Sequence, residues 1–218
     1  MKFLYVNKKK MTRDKVSSLM ELCLTSSLNY LESSFKASQY VFLPEDVCEA
    51  LIAKRLKEGK CTDSFLSTFS NPSTSRMVRV DLHGASITDE GLGYIVYHPI
   101  RDLNVSECCQ LTKEGIKQIT QCKNSLFSLN LGKCNKIAEF DDVGVFRKLR
   151  ALDVSNTSFD QKSFEASAQG LSNLQMLNMT ETEITDLKPV EHLKSLKSLD
   201  LSSCAGLTSV EPLKSVQG

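Results

Sequence analysis

Residues 126–137 read LFSLNLGKCNKI, with apolar residues at the first, fourth and sixth positions and a cysteine at the ninth. The same pattern, with other apolar residues in place of leucine and alanine or threonine in place of cysteine, occurs six times. It begins at Met77, Ile100, Leu126, Leu149, Leu174 and Leu196. Such self-similarity at a nearly fixed interval predicts a stack of structural repeats.

Two apolar columns run through all six units without a polar exception. The first column contains Val80, Leu103, Leu129, Leu152, Leu177 and Leu199, and the second contains Leu82, Val105, Leu131, Val154, Met179 and Leu201. Each unit therefore predicts one short parallel strand whose alternate side chains enter the core. We expect an α/β leucine-rich repeat solenoid of about six repeats over residues 77–218, preceded by a helical module.

The ninth position holds a small side chain and distinguishes two kinds of turn. It is occupied by Ala85, Cys108, Cys134, Thr157, Thr182 and Cys204. The next apolar residue follows two positions after alanine or threonine and three positions after cysteine. We expect these side chains to face inward, where a thiol or hydroxyl can satisfy a backbone carbonyl.

The segments between strands also differ in kind. Thr112 is a candidate N-cap for a helix that contains Ile116 and Ile119. Pro189 and Pro212 instead favour a short turn in the last two repeats. We also expect the core face of the sixth repeat, which has no following strand in this sequence, to be exposed and to fray from Leu196 onward.

A polar column lies between the two apolar columns and is expected on the solvent face of the sheet. It contains Asp81, Asn104, Asn130, Asp153, Asn178 and Asp200. These residues are suited either to accept a basic peptide or simply to face water. The second interpretation is favoured, because the column lacks the aromatic anchors that commonly carry binding energy.

Residues 12–58 predict two helices ahead of the repeats. The first carries apolar residues at helical spacing from Val16 to Phe35, and the second begins near Pro44. Residues 59–76 are interpreted as a linker whose apolar side chains cover the first repeat. These side chains are Phe65, Leu66 and Phe69.

Two short motifs in this module resemble known binding boxes. SLMELC at 18–23 resembles the elongin-binding box, and LPEDVCEAL at 43–51 resembles the cullin-2 box. In this order, with leucine-rich repeats behind them, they resemble the Zyg-eleven/Zer-one family of substrate receptors for cullin-2 RING ubiquitin ligases. The resemblance implies contacts with elongin B/C and cullin-2, and an unknown protein substrate. The implied elongin-binding residues are Ser18, Leu19, Leu22 and Cys23, and the implied cullin-binding residues are Leu43, Pro44, Val47 and Leu51.

The spacing of the first box agrees with helix-in-groove binding. Leu19 and Cys23 are one helical turn apart, so both side chains can enter one groove, although both can equally pack against the second helix. The box departs from the usual pattern at Ser27, where an aliphatic residue is expected and Leu28 follows one position later. Family members also carry armadillo-like repeats that bind an N-terminal glycine. This sequence contains none, so glycine-degron recognition is not assigned to it.

Two alternatives remain open. Leu43-Pro44-Glu45 also resembles the start of an F-box, but that interpretation leaves the preceding helix unexplained, and the chain has no tryptophan. The repeats would also suit a scaffold or inhibitor unrelated to ubiquitination.

Composition argues against several other classes of function. The net charge of +1 favours neither nucleic acid nor an anionic membrane, and no apolar run is long enough to span a bilayer. The eight cysteines form no C-x-x-C pair, so we expect reduced, mostly buried thiols and no metal. Three histidines, with no phosphate loop or nucleophile motif, indicate a protein without catalytic activity or cofactor. We expect it in the cytoplasm or nucleus.

Overall fold

The computed structural model describes Ser26 and residues 42–215. Contacts divide the chain into two units between Val41 and Phe42, so the second helix of the predicted module groups with the repeats. Apart from Ser26, the first predicted helix lies outside the described residues.

The repeats form one parallel sheet of six strands in chain order. The strands are β1 Arg79–Asp81, β2 Asp102–Asn104, β3 Ser128–Asn130, β4 Ala151–Asp153, β5 Met176–Asn178 and β6 Ser198–Asp200. The first apolar column is in register across the sheet, where Val80 pairs with Leu103, which pairs with Leu129, and so on to Leu199. The predicted leucine-rich repeat fold is confirmed: β1–β5 bury this central residue and leave both of its neighbours exposed or half-buried, whereas in β6 the central Leu199 is only half-buried.

Five α-helices lie in the described part of the chain. They are α1 Glu45–Lys57, α2 Asp63–Leu66, α3 Asp89–Ile95, α4 Lys113–Ile119 and α5 Gln161–Ala168. The side chain of Thr112 accepts a hydrogen bond from the Glu114 amide at the start of α4, as predicted. The two proline-containing segments form short 3-10 turns, Lys188–His192 and Glu211–Ser215, which confirms the expected change of repeat type.

The first repeat is covered by α1, α2 and the turn that follows α2. Helix α1 packs against β1, and α2 packs against α3. Leu66 and Phe69 are fully buried, and Phe65 meets the Phe69 ring edge-on at 5.3 Å. Leu66 and Phe69 are thus enclosed at this end of the repeats, and Phe65 is half-buried beside them. Helix α1 begins at Glu45, one residue later than expected, with Pro44 at the N-cap position.

Each strand is followed by a residue in the left-handed region of backbone conformation. These residues are Gly84, Glu107, Lys133, Asn156, Glu181 and Ser203. In the first five, the amide donates to a carbonyl of the next repeat, for example from Glu107 to Gly132 at 2.9 Å. These inter-repeat bonds offset the cost of the conformation, about 1–2 kcal/mol for a residue with a side chain.

Burial decreases in the sixth repeat. Leu199, Leu201 and Leu207 are only half-buried, whereas the corresponding residues of the earlier repeats are fully buried. Cys204 is likewise half-exposed, which corrects the expectation that it is enclosed like Cys108 and Cys134. The cause is the lack of side chains packed over this repeat among the described residues.

Candidate functional site

The predicted elongin-binding residues cannot be placed. Ser18, Leu19, Leu22 and Cys23 lie outside the described residues, so their assignment stays a prediction.

The predicted cullin-binding residues differ in accessibility. Leu43 pairs with the segment before β1: its amide donates to the Thr74 carbonyl at 2.7 Å, and its carbonyl accepts from the Arg76 amide at 3.1 Å. Pro44 is exposed and Val47 is half-buried. Leu51 is completely buried, so its side chain holds α1 in place and offers no surface to a partner. Of the four predicted residues, Pro44 is therefore the most accessible, and Leu43 and Val47 are partly accessible.

Charged residues anchor α1 to the first strand. Arg79 on β1 contacts the carboxylates of Glu49 at 3.1 Å and Glu45 at 3.4 Å. The hydrogen bond from its guanidinium to Glu49 is the main cause of a raised Arg79 pKa. Two consecutive acidic residues, Glu45 and Asp46, lie at the N-terminal end of α1, where negative charge is favourable.

A groove of about 290 Å³ lies between α1 and β1. Its apolar walls come from Ile52, Ala53 and Leu56 on the helix and Val80 on the strand, and the Glu49–Arg79 ion pair is at its rim. The groove is a consequence of α1 packing beside the first strand.

The polar column on the exposed face of the sheet has a structural role. In every repeat the side-chain oxygen of this residue accepts the amide two positions later, as Asp153 does from Ser155 at 2.9 Å. Asn104 also donates to Asp81 across the strands at 2.9 Å, and Asn178 donates to Asp153 at 3.2 Å. These groups turn the chain after each strand, a structural role that neither interpretation of the column included.

The ninth-position side chains bond in two ways that the sequence did not separate. Cys108 and Cys134 donate through Sγ to carbonyls of the preceding repeat, Leu82 and Val105, each at 3.1 Å. Thr157 instead donates to Val154 in its own repeat at 2.6 Å. Cysteine therefore links successive repeats, whereas threonine closes its own turn.

Burial disfavours ionisation of the inward-facing thiols. It raises the pKa of Cys108 and Cys122 to about 12 and that of Cys134 to about 11. The thiolate is the reactive form, so these groups are chemically inert near neutral pH. Cys109 is exposed, whereas five of the seven described cysteines are buried, in line with the expectation that the cysteines are mostly buried.

His98 is a buried titratable group between the first repeat and its cover. It is 3% exposed, and its Nε2 lies 2.6 Å from the Phe69 carbonyl oxygen. Its Nδ1 has no hydrogen-bond partner among the described residues. Burial lowers the pKa of His98, and the bond to Phe69 opposes this effect. The neutral ring, which donates from Nε2, is therefore the folded form.

Sequence reasoning missed a row of side chains at the second position of the repeats. Arg101, Phe127, Arg150, Gln175 and Lys197 lie side by side along the edge where the strands begin. The guanidinium carbons of Arg101 and Arg150 lie 5.4 and 5.1 Å from the centre of the Phe127 ring. Aligning this outward position across the repeats would have revealed the row.

The described residues contain neither a metal-binding cluster nor a membrane-spanning helix. No group of three or more histidine, cysteine or acidic side chains in that part of the chain is arranged to hold a metal ion. None of the helices described is both long and apolar enough to cross a membrane.

The strand register, the repeated turns and the covering helices define an α/β leucine-rich repeat protein. A family model described as Leucine Rich repeats (2 copies) matches residues 172–215. Among solved structures, the chain resembles Rad7 in its yeast complex with Elc1, with a TM-score of 0.58 and 19% identity over 87% of this chain and 49% of that one. It also resembles an internalin, InlF, of Listeria monocytogenes, with a TM-score of 0.50 and 18% identity over 70% of this chain and 41% of that one. At these identities the likeness concerns the fold.

Among curated proteins, the chain is similar to Protein zer-1 homolog of Mus musculus, with 28% identity over 211 residues, covering 88% of this chain and 27% of the relative. The Homo sapiens protein of the same name is 28% identical over 213 residues, with the same coverage. The expected similarity to the Zer-one family is thus confirmed. The chain spans about a quarter of the length of these relatives. Residues 77–218 make up a smaller part of the chain than the 88% that is matched. The similarity therefore extends into the segment before the first strand.

Proposed function

We propose that the chain is a substrate-receptor or adaptor subunit of a cullin-2/elongin B/C ubiquitin ligase. The observation that carries the proposal is the similarity to Protein zer-1 homolog, which includes residues ahead of the repeats. Rad7, which shares the fold, is found in complex with Elc1, and this supports an elongin C-type partner.

The division of roles follows from the two parts of the chain. In this proposal, Ser18, Leu19, Leu22 and Cys23 contact elongin C, and Pro44 and Val47 contribute to the choice of cullin-2. The repeats bind a protein substrate through contacts alone. The chain catalyses no reaction itself, and it acts in the cytoplasm or nucleus.

Pull-down from cells that express the full chain tests the first contact. A Leu19→Ala, Cys23→Ala double variant removes both anchors, and truncating a buried anchor typically costs about 2 kcal/mol or more. We expect elongin C to be lost from the double variant and retained by a Lys162→Gln control, which changes an exposed side chain of α5. Unchanged capture of elongin C by the double variant would contradict the proposal.

A second pair of substitutions tests the choice of cullin. A Pro44→Ala, Val47→Ala variant shortens the accessible side chains of the second box, and alanine is compatible with the start of α1. We expect this variant to retain elongin C and to recover less cullin-2 than the wild-type chain. Recovery of cullin-2 equal to wild type would remove these residues from the interface. Capture of an F-box adaptor, or of no ligase subunit, would favour the alternatives.

A further inference from the structure

The second-position row is held in place by the backbone. The Phe127 amide donates to the Arg101 carbonyl at 2.7 Å, and the Arg150 amide donates to the Phe127 carbonyl at 2.7 Å. Gln175 and Lys197 continue this chain of bonds, each at 2.8 Å. The side chains are therefore spaced by one strand separation, about 4.8 Å, along one edge of the sheet.

Positive charge is concentrated along this edge. The five residues that precede each of β2–β6, residues 97–101, 123–127, 146–150, 171–175 and 193–197, include seven lysine and arginine residues and no acidic residue. We call these seven the basic edge: Arg101, Lys123, Arg147, Lys148, Arg150, Lys194 and Lys197. All seven are exposed.

The basic edge lacks the internal counter-charges found elsewhere on the repeats. Lys113, Lys133 and Lys162 each lie within 4 Å of a carboxylate. None of the seven edge residues forms such a pair with any residue that the structure describes. Arg101 and Arg150 instead converge on the half-buried Phe127 ring, which brings two like charges together. An anionic partner would relieve this repulsion while finding both guanidinium groups already oriented.

The surroundings of the basic edge favour a narrow, partly apolar anion. Asp102 and Asp153 lie on the adjacent exposed face of the sheet and repel a broad polyanion such as nucleic acid. Met176, 55% exposed, lies next to Gln175, where the row has no cation. An extended peptide with carboxylates and an occasional apolar side chain fits this sequence of contacts.

We propose that the basic edge is a docking surface for an acidic, extended segment of a partner protein. The anchors are Arg101 and Arg150 with Phe127 between them, and Lys197 extends the surface to the last strand. This inference goes beyond the proposed ligase role and does not depend on it, because the residues involved lie in the repeats and not in the two boxes.

Fluorescence anisotropy with the full chain and a fluorescein-labelled deca-glutamate peptide at low ionic strength tests the surface. The test variant is Arg101→Gln, Arg150→Gln. The matched control is Lys162→Gln, Lys188→Gln, which removes the same charge from exposed positions outside the basic edge. We expect roughly tenfold weaker binding for the test variant and a change within about twofold for the control. Phe127→Leu keeps both charges and should weaken binding by an intermediate factor.

Three outcomes would overturn the proposal. In the first, the wild-type chain shows no binding to deca-glutamate. In the second, the control variant loses as much affinity as the test variant, which would indicate only non-specific attraction between the peptide and the chain. In the third, a single-stranded decanucleotide would bind more tightly than the peptide and lose affinity in the same variant. The surface would then be one for nucleic acid.

Discussion

Gly170→Ala should destabilise the repeats more than any ordinary surface change, because two backbone segments meet at this glycine. A Cβ atom at Gly170 would lie 1.8 Å from the carbonyl oxygen of Gly144 and 2.7 Å from its carbonyl carbon. Since Cβ atoms essentially never approach closer than 3.0 Å, one segment must move by at least about 1.2 Å. The atoms in the way belong to the backbone, so no rotamer change can remove the overlap.

The expected loss is about 3 kcal/mol of the free energy of unfolding, the upper end of the usual cost of overpacking and a large part of the roughly 5–15 kcal/mol typical of a folded domain. For a chain of this size that corresponds to a decrease in Tm of roughly 6–12 °C. Urea and thermal unfolding followed by circular dichroism would measure both quantities.

Gly93→Ala is the matched control. It lies within α3, and its Cβ would meet only the end of the Gln118 side chain at 3.8 Å. Alanine favours a helix over glycine by up to about 1 kcal/mol, so this variant should be as stable as wild type or slightly more so. If Gly170→Ala unfolds at the same temperature as Gly93→Ala, the close approach of the two glycine segments is refuted.

Three further predictions concern pH, thiols and local stability. His98 has a lower pKa in the folded state than the usual value of about 6.5, because the ring is buried, so the unfolded state binds the proton more readily and stability should fall as the pH decreases below about 6.5. A His98→Gln variant that loses as much stability on the same acidification would refute the assignment. Cys109 should react with a thiol reagent in the native state, whereas Cys108 should react only after unfolding. Mass spectrometry of the labelled peptides would measure both, and equal labelling of the two cysteines in the native state would contradict the burial of Cys108. Amide hydrogen exchange should be faster in residues 199–201 than in residues 129–131, because the sixth repeat is only half-buried; equal protection of the two strands would rule out fraying.

Some features of the repeats are local and were therefore predictable. The columns at Val80 and Leu82, and their equivalents in later repeats, show which side chains face the core, because alternate residues of a strand point to opposite faces of the sheet. The helix cap at Thr112 and the turns at Pro189 and Pro212 depend on a few neighbouring residues. Sequence alone determined these features.

Contacts between repeats were decided only by the tertiary structure. The carbonyl that receives the Cys134 thiol is 29 residues away, and the oxygen that would obstruct a side chain at Gly170 is 26 residues away. The number of residues from one strand to the next differs between repeats. Backbone hydrogen bonds between the strands nevertheless align equivalent positions, and this alignment decides which outward side chains become neighbours. The same holds for the burial of Leu51 and for the convergence of Arg101 and Arg150 on Phe127. Each depends on contacts between residues of different structural elements or repeats, which no single repeat forms by itself.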